Sequence, residues 1–499
     1  MDVDLLIVGG GINGAGIARD AAGRGLSVML VEKDDLAGHT SSASSKLVHG
    51  GLRYLEQFEF KLVRESLAER ERLLRAAPHI VEPLQFVMPL GPGSRPRWML
   101  AAGLFLYDHL GSRTLLPASQ AAALNEGGLG GGLRPGIRRG FTYWDCRVQD
   151  ARLVVLNAVD AAERGATILT RTELIDARRE ADTWLATIRG AEGERTVRAR
   201  ALVNAAGPWA AELFERLAGV KRHRKVRLVT GSHVVLPRLY EGDHAFILQN
   251  RDRRVVFAIP FERDFTLVGT TEVDCDAPVD HPTISEEEVN YLLDTIGRNF
   301  SRPVSGEDIV WSYAGQRALV EDGASNSSRV TRDYVLELDE NGPPLLSVFG
   351  GKLTTYRRLA ERVLDRLGRY FPKSNGAWTE GATLPGGDIP DLDLDRYSRD
   401  LAARYPALPT DLLSRLVHTY GSRTDRLLEG ATTLTDLGDH FGGTLYAREV
   451  DYLVANEWAC TAEDVLFRRT KLGLRLPEET VDRLREHIAS KLSGFQAGQ

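Results

Sequence analysis

A chain of 499 residues, 43% hydrophobic and 26% charged, has the make-up of a soluble globular protein of two or three domains. A formal net charge of -6 gives no electrostatic case for nucleic acid. Three scattered cysteines (Cys146, Cys275 and Cys460), with no CxxC spacing, argue against a disulfide framework or a zinc site and fit a reducing compartment.

From Asp4 the chain runs DLLIVGGGINGAGIARDAAGRGLSVMLVEK. Leu5–Val8 is a short apolar run suited to a buried parallel strand. Gly9, Gly11 and Gly14 then fit G-x-G-x-x-G, and Glu32 ends the second strand about 20 residues on. Glycine permits the tight turn at Gly9, close approach of a pyrophosphate at Gly11 and close helix–sheet packing at Gly14. The free N–H groups of the helix start face the diphosphate, and the acid accepts from ribose hydroxyls. Strand, turn, helix, strand and acid in register predict a dinucleotide site.

Phe60–Ala76 predicts a charged helix with Leu62, Leu67, Leu73 and Leu74 on its apolar side. Trp98–Tyr107 is apolar but too short to span a bilayer, which takes about 20 residues; it suits a core helix or one lying in a membrane interface. Asp150–Arg164 is helical, and Trp184–Ile188 and Thr196–Val203 alternate like strands. Between Leu228 and Val273, SHVVLP, HAFILQN, RVVFAIPF and FTLVGTTEV predict a largely antiparallel sheet. Ile284–Phe300 is a helix with Ser285 as N-cap. A Pro/Gly/Asp-rich boundary from Leu384 precedes a helical C-terminal part.

Four further stretches suit a flat, phosphate-bearing ligand. TSSASSK offers the hydroxyls of Thr40, Ser41, Ser42 and Ser45 and the charge of Lys46. VHGGLRYL places Gly50 and Gly51 beside His49, Arg53 and Tyr54. ALVNAAGPWA brings Ala206 and Gly207 to a strand end. SVFGGKLTTY sets Gly350, Gly351, Lys352, Leu353 and Thr354 before a helix, whose positive end would stabilise an anionic ligand.

GGGINGAGIARDAAGRGLSV, TSSASSKLVHGGLRYLE, FLYDHLG, YWDCRVQDARLVVLNA, GSHVVLP, VGTTEV and LLSVFGGKLTTYR together resemble the FAD-dependent, respiratory glycerol-3-phosphate dehydrogenase family. The resemblance implies an α/β fold: a Rossmann-like FAD domain of the glycine/D-amino-acid oxidase type, an inserted antiparallel β-sheet substrate domain and a C-terminal helical domain. The expected segments are 1–90, 145–225 and 315–383 for FAD, 91–144 and 226–314 for substrate, and 384–499 for the helical domain. It implies oxidation of sn-glycerol 3-phosphate to dihydroxyacetone phosphate, with electrons passing through FAD to a membrane quinone. The implied substrate cations are Arg53, Arg317, Arg332 and Lys352, with Tyr54 and Thr270 as hydrogen-bonding partners. A base is needed for the alcohol proton; His49 and His233 are the candidates, with Arg317 near the reacting oxygen. No metal is expected.

Four positions depart from the family's usual wording: His39 in AGHTSS, Phe261 in AIPF, Ala318 in AGQRALVED and the basic run KRHRKVR from Lys221. A quinone partner implies peripheral attachment to the inner face of the cell membrane, for which RPRWMLAAGLFLY is the candidate, and a homodimer is a family expectation. The alternatives are a glycerol-3-phosphate oxidase using oxygen and an amino-acid or amine oxidase of the same fold.

Overall fold

A computed structural model describes residues 2–91, 93–111, 114–125, 128–220, 226–320 and 333–497. Its opening unit is β1 (Asp2–Val8), α1 (Ile12–Gly23) and β2 (Val28–Val31), with the two strands parallel from Leu5–Val28 to Val8–Val31. Leu5–Val8 and all of β2 are buried, which is why both read as unbroken apolar runs.

β3 (Leu47–Val48) and, after α2 (Phe60–Ala76), β4 (Val81–Pro89) leave this unit for a second sheet. α3 (Arg97–Leu110), β5 (Gln120–Ala123) and β6 (Arg139–Val148) follow; β6 pairs antiparallel with β3, β4 and β5. α2 buries Leu62, Leu67, Leu73 and Leu74 as expected. It also buries Glu69 and Arg70, and each is paired: Arg70 Nη1 with Asp145 at 2.7 Å, Glu69 with Arg357 at 2.7 Å. Charges buried without such partners would cost several kcal/mol (~3–5 on breaking a pair).

α4 (Asp150–Glu163) returns to the first sheet and packs on α1, and β7 (Thr167–Leu169) lies parallel to β2. β8 (Glu173–Glu180), β9 (Thr183–Gly190) and β10 (Gly193–Asn204) form an antiparallel meander, with β11 (Leu217–Ala218) beside β8. β10 serves two structures: its first half pairs with β9, and Arg198–Asn204 continues parallel to β1.

The second sheet is completed by β12 (Val226–Pro237), β13 (Ala245–Gln249), β14 (Val255–Phe261), β15 (Phe265–Gly269), β16 (Val273–Cys275) and, after α5 (Glu286–Asn299), β17 (Trp311–Val320). It has ten strands in the order β16-β12-β15-β14-β13-β4-β6-β3, with β17 paired to β12 and β5 to β6. Among the described residues, β13 and β4 are its only parallel pair. Ser285 caps α5 in a capping box with Glu288. β18 (Val335–Asp339) and β19 (Leu345–Phe349) then rejoin the first sheet, β19 parallel to β10, and α6 (Tyr356–Leu367) packs on α1. Thus β3 and β4, within segment 1–90, and β17, astride residue 315, hydrogen-bond in the second sheet rather than the first.

The C-terminal part holds α7 (Leu394–Arg404), α8 (Thr410–Tyr420), α9 (Thr424–Leu428), α10 (Ala447–Glu457) and α11 (Glu478–Ala497). Leu413, Leu416, Val417, Tyr420, Leu453 and Val465 form a core of its own. No helix among the described residues is long and apolar enough to cross a membrane.

Candidate active site

The ends of β1, β10 and β19 open onto two adjoining pockets that share Gly11, Thr40, Ser41, Ala205, Gly207 and Pro208 and together make a groove. The glycine turn sets its floor. Gly9 has φ +113°, and a Cβ there would stand 2.4 Å from the Ala205 carbonyl oxygen; one at Gly14 would stand 1.9 Å from that of Gly9. Only glycine lets the turn, β10 and α1 approach so closely. Gly11, Thr40, Ser41, Ala205 and Gly207 line the middle of the groove, where the N-terminus of α1 points. Ser41 Oγ accepts from Ile12 N at 3.0 Å, and Thr40 Oγ1 donates to the Gln316 carbonyl at 2.6 Å, tying this loop to α1 and to β17.

At one end lies Glu32, whose carboxylate accepts from Gly10 N at 2.6 Å and Asp34 N at 2.9 Å. Burial pushes its carboxyl up, against these two bonds. Ala206, Gly38 and Thr172 share this end. In dinucleotide-binding folds an acid at the end of the second strand is the residue that meets a ribose. His39, an unexpected residue, faces Asp34 at 2.7 Å and the Asp280 carbonyl at 3.2 Å.

The other end gathers side chains from both sheets. Arg317 comes from β17, Lys352 from the turn after β19, and Arg53 and Tyr54 from the turn at 52–57. Lys352 Nζ lies 3.7 Å from the Tyr54 ring centroid, and Arg53 Nη1 lies 3.8 Å from Glu272. Thr270 lines the same wall. Gly351, at φ +103°, would place a Cβ 3.0 Å from the Asn13 amide, so the turn that leads into Lys352 closes on α1 at a position that favours glycine. Gly350, Leu353 and Thr354 complete it, and the Gly350 carbonyl accepts from Asn13 Nδ2 at 3.1 Å.

His49 stands in this wall, its backbone N–H donating to Thr354 Oγ1 at 3.3 Å. Burial drives its imidazole down to about 4; Asp145 opposes this, while Lys352, Arg317 and Arg70 reinforce it. It is therefore neutral at pH 7 and able to accept a proton. His233, 1% exposed, lies behind the wall. Its Nε2 faces Ser45 Oγ at 2.9 Å, and its ring stacks on Tyr313 at 4.9 Å. Burial, Arg317 and Lys46 hold it well below the usual histidine range. Ser45 lines the groove, so His233 reaches it through that hydroxyl.

Several expected residues stand back from the groove. Lys46 points away: its Nζ donates to Asp150 at 2.8 Å and to the Ser42 carbonyl at 2.8 Å, because a buried Asp150 needs a cation. Ser42 Oγ donates to the His39 carbonyl at 3.2 Å and shapes the loop. Gly50 donates to Tyr107 Oη at 2.8 Å. Arg332 and Lys221–Lys225 lie outside the described residues. Asp145, Arg254, Phe257 and Glu272 line the groove without having been anticipated. Asp145 is held by Arg70 and by Tyr107 Oη at 2.8 Å; its stretch, YWDCRVQDARLV, was a usable signal. Arg254 sits in the exposed-looking turn RDRRVV, which carries no such signal.

The family of FAD dependent oxidoreductases matches residues 4–357, and the C-terminal domain of alpha-glycerophosphate oxidase matches residues 377–492. A glycerol-3-phosphate dehydrogenase of Pseudomonas aeruginosa is 53% identical over 491 residues, covering 98% of this chain and 95% of its own. A D-erythritol 1-phosphate dehydrogenase of Brucella abortus is 51% identical over 478 residues, covering 95% of each chain. The aerobic glycerol-3-phosphate dehydrogenase of Escherichia coli is 48% identical over 489 residues, covering 97% of each. The crystal structure of the glycerol-3-phosphate dehydrogenase from Bacillus halodurans complexed with FAD superposes with a TM-score of 0.73 at 26% identity, covering 98% of this chain and 94% of that one. The glycine cradle and the acid after β2 fit FAD, and the chain belongs to the FAD-dependent oxidoreductases and, among them, to the glycerol-3-phosphate dehydrogenase family.

Proposed function

We propose that this enzyme oxidises sn-glycerol 3-phosphate to dihydroxyacetone phosphate and passes the electrons to a membrane quinone. The observation that carries the reading is the meeting of Arg53, Arg317 and Lys352 with a neutral His49 at one end of the cofactor groove. FAD, when bound along the groove, supplies the two-electron acceptor. The two guanidinium groups and the ammonium take the phosphate, by forked hydrogen bonds and by point charge. Tyr54 and Thr270 orient the polyol, and the His49 imidazole takes the proton of the hydroxyl being oxidised. An amino acid would bring a cationic amine to this cationic wall, which disfavours that alternative.

The relative named D-erythritol 1-phosphate dehydrogenase supports a second reading, in which the substrate carries one more carbon. Steady-state assays with an artificial electron acceptor should separate the two. The first reading expects kcat/KM for glycerol 3-phosphate to exceed that for D-erythritol 1-phosphate by about tenfold or more, the scale on which a fitted pocket discriminates against one extra carbon, here a hydroxymethylene, with glycerol and glycine inert. Preference for the tetritol phosphate would establish the second.

We extend the proposal to peripheral attachment on the inner membrane face and, as a family expectation, to a homodimer. α3 turns Leu100, Leu104 and Tyr107 inward and leaves Trp98, Met99, Phe105 and Leu106 exposed, Trp98 at 74%. Phe58, 79% exposed and just before α2, meets Phe60 at the start of α2 edge to face, with ring centroids 6.1 Å apart. Exposed aromatics beside Arg95 and Arg97 suit an interface with anionic lipid. The Trp98→Glu, Phe105→Glu double variant should lose flotation with anionic vesicles while staying folded; undiminished flotation removes α3 from the contact.

A further inference from the structure

The loop after β2 carries Glu32 and builds the ribose end of the groove, and it is held from outside that groove. Within it, Glu32 accepts from Gly10 N, and Ala37 N donates to the Gly10 carbonyl at 3.1 Å. Glu32, Lys33, Ala37 and Gly38 line the groove, whereas Asp35 points the other way and is 2% exposed. There the C-terminal domain grips it. Arg469 forks onto both carboxylate oxygens, Nη1 to Oδ2 at 2.8 Å and Nη2 to Oδ1 at 2.9 Å, and Arg468 Nε adds a bond to Oδ2 at 2.5 Å.

Both arginines are themselves fixed. Arg469 Nη2 donates to the Glu457 carbonyl at 2.6 Å at the end of α10, and Arg468 pairs with Asp464. Asp464 also takes Arg171 Nη2 at 2.6 Å. The Arg171 N–H in turn donates to the Asp34 carbonyl at 2.8 Å, and the next N–H, of Thr172, to the Glu32 carbonyl at 2.7 Å. The loop is therefore bounded on two sides by bonds that lead back to one carboxylate of the C-terminal domain. Burial would raise the Asp464 carboxyl, but Arg468, Arg171 and the Cys460 N–H hold it down to about 2, so it stays ionised throughout the physiological range. Asp464–Arg469 forms a π-helical turn, in which the Thr470 N–H reaches the Val465 carbonyl at 2.9 Å. Such a turn is a costly local geometry that recurs at functional sites. Among the described residues, none from 384 onward lines the groove.

We propose that the C-terminal domain is a clamp for the cofactor, with Arg468 and Arg469 as positioning residues that act through Asp35 on the Glu32 loop and so set FAD affinity. The proposal rests on the reading that the Glu32 end takes the adenosine half of FAD. A rigid acceptor costs less ordering when the ligand arrives, and releasing the loop transfers that cost to binding.

The test is FAD titration of the full-length apoprotein, followed by quenching of FAD fluorescence, on five proteins: wild type, Asp35→Asn, Arg468→Gln, Glu32→Gln and Arg423→Gln. Arg423 bridges the same two domains through Glu163 on α4 and the Tyr452 hydroxyl, away from the loop. The expected result is a rise in the Kd for FAD of about tenfold or more for Asp35→Asn and Arg468→Gln, the scale of one charge-assisted hydrogen bond, with Arg423→Gln at the wild-type value. Arg468 is partly exposed, so its variant decides the matter if Asp35→Asn does not fold. Wild-type affinity in Arg468→Gln alongside weakened Glu32→Gln overturns the clamp, as does equal weakening in Arg423→Gln, which would mark a general loss of stability. Wild-type affinity in Glu32→Gln overturns instead the placement of adenosine.

Discussion

Arg317→Ala lowers kcat/KM for glycerol 3-phosphate by roughly 100- to 1000-fold, the cost of truncating one partner of a buried, hydrogen-bonded charge pair, and leaves FAD bound. Arg317 stands on β17 at the end of the groove opposite Glu32, away from the end proposed for the ribose of FAD. Arg317→Lys keeps the charge and loses the fork, so it should recover only part of the loss. A second readout separates an electrostatic role from mere packing. Arg317 is one of the cations that depress His49. Removing it favours the imidazolium, so the His49 pKa rises toward 6.5 and the acid limb of the rate profile moves to higher pH. An alanine variant with unchanged kcat/KM and an unmoved profile would refute the phosphate-binding role.

His49→Gln should lower kcat by roughly 100- to 10,000-fold, the range supplied by a positioned general base, with a much smaller effect on KM. The sign of the pH dependence follows from burial. Held down to about 4 by burial, the imidazole is neutral, the form that can take a proton, at pH 6 and above. An unperturbed histidine would be mostly protonated at pH 6. The 15N signals lost on His49→Gln should therefore be those of a neutral ring at pH 6. A protonated ring at that pH contradicts the assignment. If His233→Gln is the more damaging variant, the proton leaves instead through Ser45, whose hydroxyl stands between His233 and the groove.

The glycine turn, α2 and the N-cap of α5 were legible in the sequence because each depends on residues within one turn or strand of each other. Gly9, Gly11, Gly14 and Glu32 need only a strand, a turn and a helix, and Ser285 and Glu288 only three positions. Strand partnership was less legible. Nothing in the local pattern of Val81–Pro89 says that it pairs with Gly140–Val148 in the second sheet, because period-2 alternation marks a strand and not its neighbour. The direction of a polar side chain was similarly hidden. Lys46 sits among hydroxyls that suggest a phosphate, yet an aspartate more than a hundred positions away draws it behind the wall. Asp35 is a plain acid after a strand until α10 and the turn after it bring two arginines to it. Arg53, Arg317 and Lys352 are widely separated in sequence, and the groove brings all three to one end.

If this cationic end presents a phosphorylated polyol to FAD for oxidation, anaerobic mixing of the FAD-loaded enzyme with glycerol 3-phosphate will reveal it in the absorbance of oxidised flavin over a single turnover. Bleaching should be complete and saturate with glycerol 3-phosphate, be absent with unphosphorylated glycerol at the same concentration, and be slower in Arg317→Ala and His49→Gln. Flavin that stays oxidised in the presence of glycerol 3-phosphate, or bleaches equally with glycerol, would contradict that role.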